Sequence, residues 1–138
     1  MFARTLKELA GTPRQKVLCE GKTVSTRMLA KGDGLGFSLS DVRLAPGMDF
    51  TLWYKHHWEA NVVLAGRGRV EDLTTGQSWV MEPVMMYCVG PNDRHAMHAE
   101  EDLHLLSVFN PPLRGDEIHE GDGTLAASGP IPPGPQGG

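Results

Sequence analysis

The sequence has few of the features that mark an exported, membrane-spanning or disulfide-stapled protein. Its 138 residues include only two cysteines, Cys19 and Cys88, which lack the number and spacing of a disulfide framework or a metal motif. No apolar run approaches the roughly 18 residues of a transmembrane helix, and the charged N-terminus lacks the apolar core of a signal peptide. We therefore expect a cytoplasmic protein with no membrane partner, in which both cysteines are packing residues.

The sequence also lacks an excess of positive charge. The 13 Lys and Arg residues are outnumbered by 17 Asp and Glu residues, which gives a net charge of -4. The basic residues form no runs, since Arg67 and Arg69 are soon followed by Glu71 and Asp72. Nucleic-acid-binding proteins typically gather Lys and Arg on one face or in runs, so we expect no nucleic-acid partner.

Helix-forming segments are nearly absent, and strand-like segments dominate. Residues 5–10 are predicted to form one short helix, with Thr5 as a possible N-cap and Gly11 as a stop signal. From Gln15 onward, short runs with alternating or β-branched residues are separated by Gly, Pro, Asp and Asn, which is typical of strands. The predicted strands are residues 16–19, 26–30, 36–44, 50–57, 61–65, 68–73, 78–81, 85–89, 95–99 and 103–109.

About ten short, evenly spaced strands predict an all-β sandwich or closed barrel. A chain of this length with 40% hydrophobic residues is suited to a single buried core, hence a single domain. After Gly121 the composition changes to Ala, Ser, Gly and Pro, which offers little apolar surface to offset the entropy of ordering. We therefore expect a folded domain over residues 1–124 and a disordered tail without catalytic duty over 125–138.

The densest group of potential metal ligands is the stretch Tyr-Lys-His-His-Trp-Glu at 54–59. Because residues two apart on a strand share a face, His57 and Glu59 are predicted to point to the same side. Tyr87 and His95 flank a turn at 90–93, and a hairpin there would bring both side chains toward Glu59. Carboxylate, phenolate and imidazole together suit a first-row ion such as ferrous iron, zinc or manganese.

A second group of polar residues follows the last predicted strand, at 109–122. Its prolines stiffen the exit from that strand, and two readings remain open. The segment is either a rigid surface loop or a flap that delivers Glu117 and His119 over the barrel mouth. In the second case these side chains would bind substrate or transfer protons.

Two stretches, YKHHWEA at 54–60 and VFNPPLRGDEIH at 108–119, resemble the signature segments of the ectoine synthases. The stretch GLGFS at 34–38 also fits, and the similarity extends over about residues 4–124. The resemblance implies a jelly-roll-like cupin barrel, usually a homodimer, that binds Fe(2+) through Glu59, Tyr87 and His95. It also implies a hydro-lyase that cyclises N-γ-acetyl-L-2,4-diaminobutyrate to ectoine, a compatible solute used in osmoprotection.

The resemblance further implies which residues line the substrate pocket. Acid–base catalysis is assigned to Tyr54, His57, Glu117 and His119, with the individual roles left open, and the substrate carboxylate is assigned to Arg27. The implied substrate-binding residues are Arg27, Ser40, Val42, Tyr54, His57, Ser107, Phe109, Pro111, Gly115, Glu117 and His119.

Part of this wall departs from the family pattern. Thr23 stands where family members usually carry Trp, Ser107 where they usually carry Cys, and Ser40 and Val42 near positions that are typically Asn and Thr. An enzyme of the same architecture with an altered substrate is therefore one alternative. A non-catalytic metal- or ligand-binding cupin is another.

An iron dioxygenase is a further alternative from a different reaction class. Its two-histidine, one-carboxylate triad would require His57, Glu59 and His95 to bind the metal together and would leave Tyr87 unused. The substitution Tyr87→Phe separates the two ligand sets, because it lowers iron affinity only if the phenol is a ligand.

Overall fold

The chain begins with a short helix, α1 (Leu6–Leu9), as the sequence predicts. This computed structural model describes residues 1–117 and 123–135. The Thr5 hydroxyl accepts from the backbone N–H of Glu8, and the Glu8 carboxylate accepts from the backbone N–H of Thr5. This capping box satisfies two amides that the first helical turn leaves unpaired, and Leu9 is buried.

In the part of the chain that the structure describes, ten strands follow the helix and form two antiparallel sheets, which confirms the predicted all-β class. The larger sheet has the order β1-β2-β3-β10-β5-β8, and the smaller has the order β4-β9-β6-β7. The strands are β1 (Gln15–Leu18), β2 (Thr23–Leu29), β3 (Ser38–Leu44), β4 (Asp49–Leu52), β5 (Trp58–Ala65), β6 (Gly68–Asp72), β7 (Ser78–Met81), β8 (Met86–Val89), β9 (His95–Ala99) and β10 (Leu103–Asn110).

The core lies between the inner faces of the two sheets. On β10 the residues Leu103, Leu105, Ser107 and Phe109 are buried and alternate with less buried neighbours, as the two-residue period of a strand requires. Apolar side chains from both sheets, including Val63 of β5, join one buried cluster. A polar residue at an inward position of β10 therefore faces the interior of the barrel.

The predicted strand at 50–57 ends early, because only its first three residues belong to a strand, β4, and the rest form a turn. β4 ends at Leu52, the chain turns, and β5 begins at Trp58, so β4 lies in the smaller sheet and β5 in the larger one. The prediction ran across this turn because the turn contains aromatic residues and histidines and no Gly or Pro. His57 therefore precedes its strand, yet both His57 and Glu59 are buried, at 0% and 6% exposure.

The predicted hairpin between Tyr87 and His95 is wrong. β8 pairs with β5 in the larger sheet, whereas β9 pairs with β4 and β6 in the smaller one. The turn at 90–93, in which the Asp93 carboxylate accepts from Gly90 N–H at 2.7 Å, thus carries the chain from one sheet to the other. Local sequence marked the turn but did not show which strands pair across it.

The described residues 123–135 include most of the segment for which the sequence predicts a disordered tail, and they contact the barrel. We call residues 123–135 the C-terminal strap. Leu125 is 3% exposed, and the indole N–H of Trp58 donates to the carbonyl of Pro132 at 2.9 Å. Gly123 has φ +81°, and a Cβ there would lie 2.3 Å from the carbonyl oxygen of Thr51. The strap, which has few apolar side chains, is thus held to the barrel by hydrogen bonds and by close packing of its backbone.

Both cysteines were expected as packing residues, and both are exposed. Cys19 lies in a 3-10 turn with φ +52°, and Cys88 projects from β8, the outer strand of its sheet, opposite to Tyr87. Within residues 1–117 and 123–135, no helix is long and apolar enough to cross a membrane.

Candidate active site

A cavity of about 100 Å³ lies inside the barrel, lined largely by the inner face of the larger sheet. Its wall includes seven of the residues that the sequence assigned to substrate binding, together with Thr23. The seven are Arg27, Ser40, Val42, Tyr54, Ser107, Phe109 and Glu117. Seven of the eleven predicted substrate-binding residues thus line one cavity, and their role in binding substrate stays a prediction.

Five polar or aromatic side chains form a continuous row across the cavity. Arg27, Ser40, Ser107, Asn61 and Tyr87 are successive Cα partners on β2, β3, β10, β5 and β8, and all five line the cavity. Because neighbouring strands are about 4.8 Å apart, the row is about 19 Å long at the backbone. We call it the polar row.

The Arg27 end of the polar row is cationic and has unused hydrogen-bonding capacity. The guanidinium is 6% exposed, and it donates to the carbonyl of Glu117 at 2.8 Å. Burial lowers the pKa of Arg27, and the nearby Glu117 opposes that shift. Within residues 1–117 and 123–135, the Arg27 Nε and the Ser40 hydroxyl are buried without a hydrogen-bond partner, so this end can bind an anionic group.

The opposite end carries a buried carboxylate beside a phenol. Burial raises the pKa of Glu59 to about 7, and a hydrogen bond from Asn61 opposes the shift. Burial and the Glu59 charge raise the pKa of Tyr87 well above its ordinary value. The Tyr87 hydroxyl contacts the sulfur of Met97 at 3.6 Å. These side chains are costly to bury in their charged forms unless a cation compensates them.

His95 begins β9 beside this end of the row and is 1% exposed. Its Nδ1 lies 3.0 Å from the carbonyl of Asp93, and its Nε2 is buried without a partner. Burial lowers the pKa of His95, which favours the neutral imidazole that metals require. An oriented imidazole with a free second nitrogen is the usual state of a histidine ligand.

The three predicted metal ligands do not all line one cavity. His95 faces a second cavity of about 270 Å³ between β6 and β8, and Tyr87 lines both cavities while Glu59 lines only the first. No three His, Cys, Asp or Glu side chains cluster around one point in the part of the chain that the structure describes. A metal site here therefore depends on the phenol of Tyr87.

Tyr54 and His57 both pack against the ring of Phe109. The Tyr54 ring lies 5.3 Å from the Phe109 ring and 5.5 Å from the His95 ring, centroid to centroid. The His57 ring lies 5.7 Å from Phe109 and does not line the cavity. Its Nε2 is 3.0 Å from the hydroxyl of Ser128 in the strap, and burial lowers the pKa of His57 to about 4.

The segment after β10 brings one predicted catalytic side chain to the cavity. The Glu117 carboxylate accepts from the backbone N–H groups of Arg114 and Gly115 at 2.5 and 3.0 Å and lines the cavity. Pro111 and Gly115 do not line it, and Pro111 contacts Gly129 of the strap. His119 lies outside the described residues.

Asn61 and Leu125 are among the residues of this cavity that sequence reasoning did not assign to the site. Asn61 is 2% exposed and bonds to Glu59. The period-two rule that was applied to His57 and Glu59 also places Asn61 on their side. Leu125 lines the cavity from the strap, and no local pattern distinguishes it within a stretch of small residues.

The chain matches proteins of one family over nearly its full length. A family model described as ectoine synthase matches residues 1–128. The L-ectoine synthase of Desulfosudis oleivorans is 42% identical over 125 residues, covering 90% of this chain and 95% of that protein. The crystal structure of ectoine synthase from P. lautus superposes with a TM-score of 0.79 at 32% identity, covering 99% and 96% of the two chains.

A more distant structure shows the fold alone. The Cupin_2 domain of a transcriptional regulator from Enterobacter cloacae has a TM-score of 0.56 at 19% identity, covering 66% of this chain and 98% of that domain. The two-sheet architecture is accordingly that of a cupin barrel.

Proposed function

Since the chain belongs to the ectoine synthase family and has its hydro-lyase activity, we propose that the barrel cavity is where ectoine is formed. The substrate is N-γ-acetyl-L-2,4-diaminobutyrate. Its α-amine attacks the acetamide carbon, the former carbonyl oxygen leaves as water, and a six-membered cyclic amidine results. The cavity must therefore curl the substrate, exclude water and transfer protons.

The observation that carries this proposal is the chemistry of the polar row. Arg27 and Ser40 at one end offer unpaired donors to the substrate carboxylate, and charge-assisted hydrogen bonds of this kind are strong. Glu59 and Tyr87 at the other end face the acetamide. The rings of Tyr54 and Phe109 complete the wall, and holding amine and carbonyl close together supplies much of the rate enhancement.

We propose that Glu59, Tyr87 and His95 hold one Fe(2+). Support comes from the Nε2 of His95, which has no partner among the described residues, from the buried carboxylate of Glu59 and from the half-buried phenol of Tyr87, which lines one cavity with His95 and another with Glu59. When bound, the ion supplies Lewis acidity toward the acetamide carbonyl. The three donors come from both sheets, so the barrel must close correctly before the set exists.

For proton transfer we propose Tyr54, His57, Glu117 and His119. Tyr54 and Glu117 line the cavity, which supports proton exchange between them and the amine and departing oxygen. His57 supports them from behind Phe109, where it is held by Ser128. Of the substrate-binding set, Val42, Ser107, Pro111 and Gly115 are proposed to shape the wall and its flap.

A second candidate is the same cyclisation on a larger acylated diamine. One observation favours it, namely that Thr23 lines the cavity at 7% exposure with its hydroxyl unpartnered. A longer substrate would reach this hydroxyl.

The test is an activity assay on protein loaded with Fe(2+) without oxygen. The acetylated diaminobutyrate and its homologue with one more methylene are supplied separately, and the cyclic product is followed by chromatography, with Glu59→Ala as the control. Faster turnover of the shorter substrate, lost in the control, supports the leading proposal. Preference for the homologue supports the second, and full activity in Glu59→Ala contradicts the metal site.

We also propose that the protein acts in the cytoplasm as a homodimer and supplies a compatible solute for osmoprotection. Support for the dimer comes from apolar side chains that remain exposed on the outer strands of both sheets.

A further inference from the structure

Three buried side chains form a hydrogen-bond chain that ends on Glu59. The Ser107 hydroxyl donates to Asn61 Oδ1, and Asn61 Nδ2 donates to Glu59 Oε1 at 2.6 Å. Ser107, Asn61 and Glu59 are 3%, 2% and 6% exposed. At this depth each hydrogen bond is electrostatically stronger than it would be in water.

The backbone fixes which groups meet. Ser107 on β10 and Asn61 on β5 are direct Cα partners, and Asn61 follows Glu59 by two residues, so both face the interior. The register of the sheet thus holds Ser107 against one side of the Asn61 amide and Glu59 against the other.

The polarity of the chain is set by the chemistry of the amide. Asn offers an oxygen acceptor on one side and an N–H₂ donor on the other. With the Ser107 hydroxyl donating to Oδ1, Nδ2 faces the carboxylate. The flipped amide would oppose its oxygen to Glu59 Oε1, leaving two acceptors in contact within a buried site, which is costly. The carboxylate of Glu59, which only accepts, thus sets which way the amide faces, and the Ser107 hydroxyl holds the amide there by donating to Oδ1.

We infer that Asn61, held by Ser107, is a positioning residue that fixes the Glu59 carboxylate for metal binding, an inference that rests on the proposed role of Glu59 as a ligand. The amide occupies one carboxylate oxygen and limits rotation of the group. Without it, a carboxylate at this depth would lose a donor and a defined orientation together.

The test measures metal affinity rather than turnover. Purified apo-protein is titrated with Fe(2+) without oxygen, and separately with Co(2+), in competition with a chromophoric chelator. Asn61→Leu, which keeps a similar volume without the donor, should weaken binding by about 10- to 100-fold, the usual cost of losing an outer-shell partner of a ligand. It should also change the visible absorption spectrum of bound Co(2+), since that spectrum reports ligand geometry.

Ser107→Ala supplies the second measurement and removes only one oxygen atom. It should weaken binding by a smaller factor than Asn61→Leu, and the double variant should bind no more weakly than Asn61→Leu alone, because Ser107 acts through Asn61. If the losses of metal affinity in the two single variants add in the double variant, Ser107 does not act through Asn61. If Asn61→Leu does not fold, as shown by thermal unfolding of the apo-protein, Ser107→Ala and its Co(2+) spectrum still decide the question.

Ser40→Ala is the matched control. Ser40 is 2% exposed and is the Cα partner of Ser107 across β3 and β10, but its hydroxyl has no hydrogen-bond partner among the residues that the structure describes. Its metal affinity should equal that of the unaltered protein. If Glu59→Ala abolishes binding while Asn61→Leu matches Ser40→Ala, the inference is wrong. If Glu59→Ala itself binds normally, the metal site proposed above fails instead.

Discussion

Among single side chains, Tyr87 is the one that distinguishes the proposed centre from other metal sites built on a carboxylate and an imidazole. It lines both cavities, so it separates Glu59 on one side from His95 on the other. Burial and the Glu59 charge both oppose its ionisation, and a bound cation is the natural compensation. The proposed metal would remove this penalty on the ionised form of Tyr87.

Tyr87→Phe should therefore lower the affinity for Fe(2+) at least about tenfold, since even an outer-shell loss has that effect. The measurement is anaerobic titration against a chelator. Tyr54→Phe is the matched control, because Tyr54 is also buried and its pKa is likewise raised well above the ordinary value, first by burial, but it is not a proposed ligand. Equal affinities in the two variants would exclude the phenol as a ligand and favour the set containing His57.

At the residue scale, the sequence indicated which side chains have the chemistry of a metal ligand, but it was less informative about where each side chain lies in the fold. Glu59, Tyr87 and His95 were selected because their side chains are metal-ligand types, and in the structure Glu59 and His95 are buried while Tyr87 is half-buried. His57 was assigned to the same face as Glu59 by strand period, but it precedes the strand and packs behind Phe109. Asn61 was overlooked because an amide is rarely a metal ligand, although its spacing was informative.

At the scale of elements, the strap shows how a segment of low hydrophobicity can pack. Leu125 contributes one buried apolar side chain to the core cluster. Hydrogen bonds to backbone carbonyls of the strap supply further contacts with the barrel. The Trp53 N–H donates to the carbonyl of Gly123 at 3.0 Å, and the Lys31 ammonium donates to the carbonyl of Ser128 at 2.5 Å. The strap thereby joins the turn after β4 to the loop before β3.

Leu125→Ala should lower the free energy of unfolding by about 2–5 kcal/mol, the usual cost of truncating a buried leucine. Ile131→Ala in the same strap is the matched control, because Ile131 is 41% exposed and surface changes are usually within about 0.5 kcal/mol. Urea denaturation compares the two. Equal, small effects would mean that the strap contributes nothing to stability.

A second element-scale contact joins the N-terminal arm to the loop after β2. The Asp33 carboxylate accepts from Arg4 at 2.8 Å, from the Ala30 backbone N–H at 2.9 Å and from Arg14 at 3.1 Å. These bonds, Arg4 first, hold the pKa of Asp33 well below its ordinary value of 3.8. The folded protein therefore binds this proton more weakly than the unfolded chain, so the contribution is complete above about pH 4 and is lost as the pH falls further.

Asp33→Asn should lower the free energy of unfolding by about 1–3 kcal/mol at pH 7, the range for hydrogen bonds to charged groups. The difference from the unaltered protein should shrink at pH 3, and urea denaturation at both pH values checks this. Asp116→Asn is the control, since its carboxylate is 75% exposed and pairs with Arg114 at the surface. A difference that is the same at both pH values would contradict the assignment to Asp33 ionisation.

The number and approximate positions of the strands followed from local alternation and turn residues, but their pairing did not. All ten predicted strands have a counterpart, and the turn at 90–93 was located correctly. The hairpin assumption failed because the chain at that turn passes between sheets, a choice that is set by the packing of the whole core. The same applies at 53–57, where the chain also passes from one sheet to the other. The sequence there contains no Gly or Pro that would have indicated a turn.

At the scale of the whole molecule, each of the two sheets still has an outer strand at each end. β8 is the last strand of the larger sheet and β7 is the last strand of the smaller one. Four apolar side chains on or beside these strands are exposed: Val84 at 80%, Met86 at 59%, Trp79 at 42% and Val80 at 40%. Exposed apolar edges invite pairing with another chain unless they are covered, and a second copy of this chain would cover them.

The paired substitution Val84→Asp with Met86→Lys should therefore convert the proposed dimer into a monomer. The unaltered 15.0 kDa chain should show twice its mass by light scattering after size-exclusion chromatography, and the variant should show the single mass with its thermal unfolding retained. Leu35→Lys is the control, because Leu35 is 48% exposed in the loop before β3. A monomeric unaltered protein would contradict the dimer, and a dimer that persists in the paired variant would place its interface away from β8, for example along β1, the other outer strand of the larger sheet.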